Sequence, residues 1–198
     1  MPGLARTPSH REAPGCVTLS HARERGEVSL ARGIRSIVVM GVSGSGKSSV
    51  ASALAQRSGR EFVDADWLHT SENLALMSSG HALDDEQRLP WLSDVGELMR
   101  DMQVRGQRPV VACSALKRAY RDKLREYVPE LFVVFLDGSK RIVEERIGSR
   151  HHDFMPASLL DSQLAILEDL GDDERGMRID ISASVDELVE EIEARLGQ

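Results

Sequence analysis

The run Gly41-Val42-Ser43-Gly44-Ser45-Gly46-Lys47-Ser48 has the spacing G-x-x-x-x-G-K-S, which suits a loop that holds a row of phosphates. Glycines let backbone N–H groups turn inward around an anion, and a helix starting at the end of the loop adds the positive end of its dipole. Lys47 is placed to reach the outer phosphates and the Ser48 hydroxyl to ligate Mg²⁺. Gly41, Ser43, Gly44, Ser45, Gly46, Lys47, Ser48 and Ser49 are therefore the nucleotide-binding candidates. The flanks agree: Ile37-Val38-Val39-Met40 is an apolar, β-prone run, and Ser49 to Gln56 reads as a helix. The pattern implies a bound nucleoside triphosphate.

Charged side chains recur downstream at spacings that could complete a phosphoryl-transfer site. In Asp64-Ala65-Asp66-Trp67-Leu68-His69 an extended backbone would point Asp64 and Asp66 the same way. Beside a magnesium triphosphate, Asp64 can hold the metal through water. Asp66 can orient an acceptor hydroxyl and take its proton. His69 is either a polar contact for that acceptor or a loop residue. Arg88 falls in the first turn of an expected helix, where the dipole disfavours a cation. It reads as a bidentate clamp for an anionic group such as a carboxylate, with a surface ion pair to Asp84 or Asp85 as the alternative. Lys117 and Arg121, four apart on an expected helix, are further anion candidates. Arg146 and Arg150 have the same spacing; one suits stacking on adenine and the other the charge of a transferring phosphoryl group. Asp137 ends an apolar run, but turns commonly hold Asp, so Asp64 remains the metal candidate. His151, His152 and Asp153 lack the further ligands a metal site of their own would need.

These residues need elements to position them. Strands are expected over Ser36–Met40, Glu61–Asp64, Pro109–Cys113, Leu131–Leu136 and Met177–Ile181. Helices are expected over Lys47–Gln56, Thr70–Met77, Glu86–Arg105, Lys117–Tyr127, Ser139–Gly148, Ser158–Glu168 and Val185–Leu196. Alternation of apolar strands with helices predicts an α/β fold with a parallel sheet covered on both faces. Ligands in such folds sit beyond the carboxyl ends of the strands, where the candidates above fall. Ser184 and Glu187 form a capping box for the last helix, and Val185, Leu188, Val189, Ile192 and Leu196 make its apolar stripe.

The chain has 198 residues and a net charge of −7, room for one domain with a full core. No basic stripe of the kind a nucleic-acid surface needs is present, and no apolar run approaches membrane-spanning length. Met1 to Arg35 carries +3 against −10 for the remainder. With Pro2, Pro8 and Pro14 and no apolar period, residues 1–33 read as a disordered basic leader, with the folded domain at 34–198. That leader lacks the apolar middle of a secretory signal. Cys16 lies in it and Cys113 in a strand, so no disulfide is expected and a cytoplasmic location fits.

Taken together the motifs resemble gluconokinases, small P-loop kinases related to shikimate kinase and the nucleoside monophosphate kinases. The resemblance runs from about Ile37 onward. It rests on Gly41–Ser48, Asp64-Ala65-Asp66 with Leu68-His69, Asn73, Met77, Gly80, Asp84-Asp85, and Arg88 with Pro90-Trp91-Leu92. It continues through Cys113-Ser114-Ala115-Leu116-Lys117, Tyr120-Arg121-Asp122, Phe154-Met155-Pro156, and Leu159-Leu160 with Ser162-Gln163. It implies a five-stranded parallel sheet flanked by helices, a mobile lid over about 149–175, and a homodimer. It also implies ATP and Mg²⁺ as cofactors and phosphorylation of D-gluconate at its 6-hydroxyl, feeding the pentose phosphate pathway. On that reading Lys47, Asp66 and Arg150 are catalytic, and Arg146 covers adenine. Arg88, with Lys117 and Arg121 as alternatives, meets the carboxylate, while His69 and Gln163 meet hydroxyls. A sibling kinase of another small acid or nucleotide, or a nucleotide-binding regulator, are the alternatives. Two positions depart from the family pattern: Asp153 stands where a His commonly precedes the Phe of the lid, and no Pro closely follows Leu167-Glu168.

Overall fold

The computed structural model describes residues 33–148 and 157–197. Apolar runs form five strands: β1 (Ile37–Met40), β2 (Glu61–Asp64), β3 (Pro109–Ala112), β4 (Phe132–Asp137) and β5 (Gly176–Asp180). They make one sheet in the order β2-β3-β1-β4-β5, with every pairing parallel. The helices are α1 (Lys47–Ser58), α2 (Ser71–Ser78), α3 (Asp85–Val104), α4 (Arg118–Tyr127), α5 (Lys140–Gly148), α6 (Ala157–Ile166) and α7 (Val185–Leu196).

All four residues of β1 are buried, and their alternation divides the core in two. Ile37 and Val39 pack with Val50 and Leu54 of α1 and with Leu188 and Ile192 of α7. Val38 and Met40 pack on the opposite face with Trp91, Val95 and Met99 of α3 and Leu124 of α4. A strand apolar on both faces belongs at the centre of a doubly covered sheet. Each fully buried aliphatic side chain contributes about 1.5–3 kcal/mol, so this layering determines where β1 sits. β1 pairs with β3 on one side and β4 on the other. The loop after it therefore opens at the switch point of the sheet, where α/β folds bind ligands.

Two helix starts are tightly specified. At α7 the Ser184 N–H donates to Glu187 Oε2 at 2.9 Å and the Glu187 N–H to Ser184 Oγ at 3.4 Å, the expected capping box. At α3 the same reciprocal pair forms between Asp84 and Gln87, at 2.9 and 3.0 Å, and it orients the turn that carries Asp85 and Arg88.

The expected strands and helices are found with ends shifted by one or two residues, and three local readings change. Ala65–Leu68 is a 3-10 turn, not extended chain: Asp64 caps it by accepting the Asp66 N–H at 3.1 Å. α4 begins at Arg118, with Lys117 as its extended cap residue. Of the lid expected at 149–175, residues 149–156 lie outside the described residues, 157–166 form α6, and 167–175 lead into β5. The expected leader likewise lies outside the described residues except for Gly33.

Candidate active site

The phosphate loop joins β1 to α1 as the spacing predicts. Gly41 and Gly44 have φ of 149° and 79°. A Cβ at Gly41 would meet the Leu136 carbonyl at 2.8 Å, and one at Gly44 would meet Ile147 at 2.5 Å, so both positions need glycine. α1 starts on Gly46, has no side-chain cap and carries no acid in its first turn. Its first amides therefore lack the acceptor that a Ser or Asp cap would supply, and a phosphate oxygen fits that role. Lys47 Nζ donates to the Val42 carbonyl at 3.0 Å, arching over the loop. Ser43 and Ser45 lie within the loop, and Ser49 is exposed on the first turn of α1.

Ser48 and Asp64 come together although they belong to different elements. The Ser48 hydroxyl donates to Asp64 Oδ2 at 2.7 Å. A hydroxyl and a carboxylate at the mouth of a phosphate loop are the hard oxygen donors that Mg²⁺ requires. Asp66 stands next to them because the 3-10 turn folds it back over Asp64. Its side chain is 69% exposed, yet Lys47, Asp64 and Arg88 all stand near it. Desolvation there raises its pKa, the Asp64 charge adds to the rise, and Lys47 and Arg88 oppose it. A carboxylate with raised pKa, open to an incoming group, is suited to accepting a proton.

Behind Asp66 lies His69. Its ring stacks on Trp91 with centroids 4.2 Å apart, and its Nε2 is 3.9 Å from Asp66 Oδ1. The side chain is 3% exposed; desolvation, then the Arg88 charge, lower its pKa to about 4. His69 is thus a neutral residue supporting the turn, which fits the second of the two roles that the sequence left open. Trp91 holds the same turn by donating its Nε1–H to the Ala65 carbonyl at 2.8 Å.

A cavity of about 520 Å³ opens between α3, α4 and α6, lined by Asp84, Asp85, Arg88, Lys117, Tyr120 and Ser162 among others. Arg88 is buried, not in a surface ion pair. Its Nε donates to the Leu83 carbonyl at 2.9 Å, and its terminal nitrogens have no hydrogen-bond acceptor among the described residues. A buried guanidinium at a cavity wall with donors to spare fits an anion. Lys117 Nζ spans both oxygens of Asp85 at 2.7 and 2.9 Å, and Tyr120 donates to the same carboxylate at 2.5 Å. Asp85 and Tyr120 were not singled out from sequence as site residues, although both fall inside the motifs that carry the family resemblance.

Two candidates are placed differently from expectation. Arg121 is fully buried and faces away from the cavity, so the shared face with Lys117 does not exist. It forms a two-pronged pair with Glu174 at 2.7 Å on each side and donates to the carbonyls of Ala115, Leu116, Glu168 and Asp169. No donor remains for a substrate anion. Gln163 meets the phosphate loop: its Oε1 accepts the Ser43 N–H at 2.6 Å. Arg146 donates to the Ser45 carbonyl and to those of Ile181 and Ala183. A cavity of about 420 Å³ lined by Arg146, Ile142 and Ser182 lies beside it. Arg150 lies outside the described residues. Cys113 is free and buried, its thiol pushed up to about 12 by burial and then by the Asp66 charge; Cys16 lies outside the described residues.

A family model described as an AAA domain matches residues 37–170. The chain is 44% identical to a gluconokinase of Gluconobacter oxydans over 158 residues, covering 80% of this chain and 89% of that one. It is 42% identical to a probable gluconokinase of Xenopus tropicalis, covering 82% and 93%. The crystal structure of a gluconokinase from Sinorhizobium meliloti superposes with a TM-score of 0.76 at 48% identity, covering 82% of this chain and 91% of that one. Similarity of this extent, on a chain whose phosphate loop, paired acids and cationic cavity are all assembled, shows that the protein belongs to the gluconokinase family of P-loop kinases.

Proposed function

We infer that the protein transfers the γ-phosphoryl group of ATP to the 6-hydroxyl of D-gluconate. One observation carries this reading: Asp66 stands beside the Ser48–Asp64 pair and feels the charges of both Lys47 on the phosphate loop and the buried Arg88 at the cavity wall. The family relationship supplies the identity of the acid.

The amides of Gly44 to Ser48 and Lys47 hold the phosphates, and Arg146 presents its face to the base. Ser48 directly and Asp64 through water would hold Mg²⁺, which when bound offsets charge on the phosphates. Arg88 fixes the carboxylate of the acceptor, with Lys117 beside it held by Asp85, so that the far end of the polyol reaches Asp66. The acceptor oxygen forms a bond to the γ-phosphorus while the bond to the β–γ bridging oxygen breaks. The hydroxyl proton passes to the Asp66 carboxylate, and ADP carries away the bond electrons. Arg150 is assigned to stabilising the transferring group. The family resemblance also suggests a cytoplasmic homodimer, which sedimentation velocity tests. Among the described residues no helix is long and apolar enough to cross a membrane.

The test is ADP release from Mg-ATP with and without D-gluconate, with Lys47→Ala as the blank and a panel of other small acids and nucleotides as acceptors. Release that depends on gluconate and is lost in Lys47→Ala supports the assignment. Release driven by another acceptor points to a sibling kinase. Tight ATP binding with no acceptor-dependent release points to a regulator.

A further inference from the structure

Gln163 bonds to the phosphate loop from a helix that also lines the acceptor cavity. The Ser43 amide can only donate, so the group meeting it at 2.6 Å must be the side-chain oxygen of Gln163. Ser43 precedes the amides of Gly44 to Ser48 assigned to the phosphates. The bond therefore occupies a donor outside that set and is compatible with a bound nucleotide. The same helix forms part of the other half of the cleft: Ser162 and Ile166 of α6 line the cavity that contains Arg88 and Lys117. Residues 162 and 166 share one helical face, and 163 is turned about 60° to 100° from them. One rigid turn of α6 thus touches the acceptor cavity on one side and the phosphate loop on the other.

We propose that Gln163 is a positioning residue: its side-chain oxygen fixes the outer limb of the phosphate loop at Ser43, and α6 links that limb to the acceptor cavity. It acts on the loop, not on a hydroxyl of the acceptor. The link between the two halves rests on the function proposed above; the bond to the loop does not.

The experiment has two arms, so that the two ideas can fail separately. In nucleotide-free protein, amide exchange at Ser43 is read in wild type, Gln163→Met and Gln163→Glu. Loss of one protecting hydrogen bond predicts about five- to tenfold faster exchange in Gln163→Met, and Gln163→Glu, which keeps an acceptor oxygen, restores slow exchange. Unchanged exchange in Gln163→Met overturns the proposal, whatever the substrate proves to be. In the second arm, ADP release is measured across Mg-ATP and D-gluconate concentrations. The proposal predicts a several-fold rise in KM for ATP in Gln163→Met, with KM for gluconate at saturating ATP within about twofold of wild type. A rise confined to the gluconate KM would make Gln163 an acceptor ligand and overturn it. Absence of gluconate-dependent release in wild type defeats the substrate assignment alone, and the exchange arm still decides the role of Gln163.

Discussion

At the scale of single residues, the proposed mechanism assigns one group to move a proton and others to hold charge still. Asp66 has the raised pKa and the open side chain of an acceptor for the substrate proton. Asp66→Asn is expected to lower kcat by about 10²- to 10⁴-fold while ADP affinity stays within a few-fold. In wild type, kcat falls on the acid side as this carboxylate is protonated, and that limb disappears in the variant; a pH–rate profile of both enzymes reads this directly. Arg88 should behave differently. Arg88→Met removes the buried guanidinium facing the cavity, and the KM for gluconate should rise by roughly 10- to 100-fold with little change in the KM for ATP. Equal rises in both would place Arg88 outside the acceptor subsite. The loop residues, both acids and Arg88 were legible because their types are unusual for their local settings. Arg88 stood out as a cation in the first turn of a helix. His69 was not legible in the same way. Its burial against Trp91 arises from the packing of the 3-10 turn on α3, and no local pattern reports that.

At the scale of elements, the buried Arg121–Glu174 pair is the largest departure from the sequence reading. Spacing placed Lys117 and Arg121 on one face, but the helix begins one residue later and turns Arg121 into the core. There it holds the β3–α4 loop, including Ala115 at φ 39°, against the segment after α6. Glu174 also accepts from Arg125 and from the Gly171 N–H, so all its bonding capacity is used. Truncating one partner leaves the other charge buried, and Glu174→Leu should lose about 3–5 kcal/mol in urea unfolding. The exposed Arg141–Glu145 pair on α5 should be worth no more than about 0.5 kcal/mol by the same measurement. If the two variants lost similar stability, the buried network would not be anchoring this part of the fold. Helix starts fared better from sequence: the Ser184/Glu187 box was readable because a capping box is a contact between residues three apart.

At the scale of the whole molecule, two buried groups set the acid limit of stability. Burial lowers the pKa of His69 from 6.5 to about 4. The unfolded chain therefore binds this proton first, and stability present above about pH 6.5 is lost as pH falls toward 4. For Glu174, burial alone would push the carboxyl up, but its bonds from Arg121, Gly171 and Arg125 outweigh this and hold it near about 2. Its contribution is present above about pH 4.5 and is lost as pH falls toward 2, up to about 3 kcal/mol. Tm is thus expected to fall in two stages below pH 6.5. His69→Phe, which keeps an aromatic ring on Trp91, should remove the upper stage only; a fall in Tm between pH 6.5 and 4 as large in that variant as in wild type would reject the assignment. The sheet, its helices and the family were all determined by the sequence, because loop spacing, alternation and capping are relations between near neighbours. Tertiary structure alone decided that Arg121 turns into the core and that Gln163 meets the phosphate loop. Gln163 meets a loop residue 120 positions away and Arg121 a partner 53 away, and such pairings depend on how the helices are rotated onto the sheet, which no local spacing encodes.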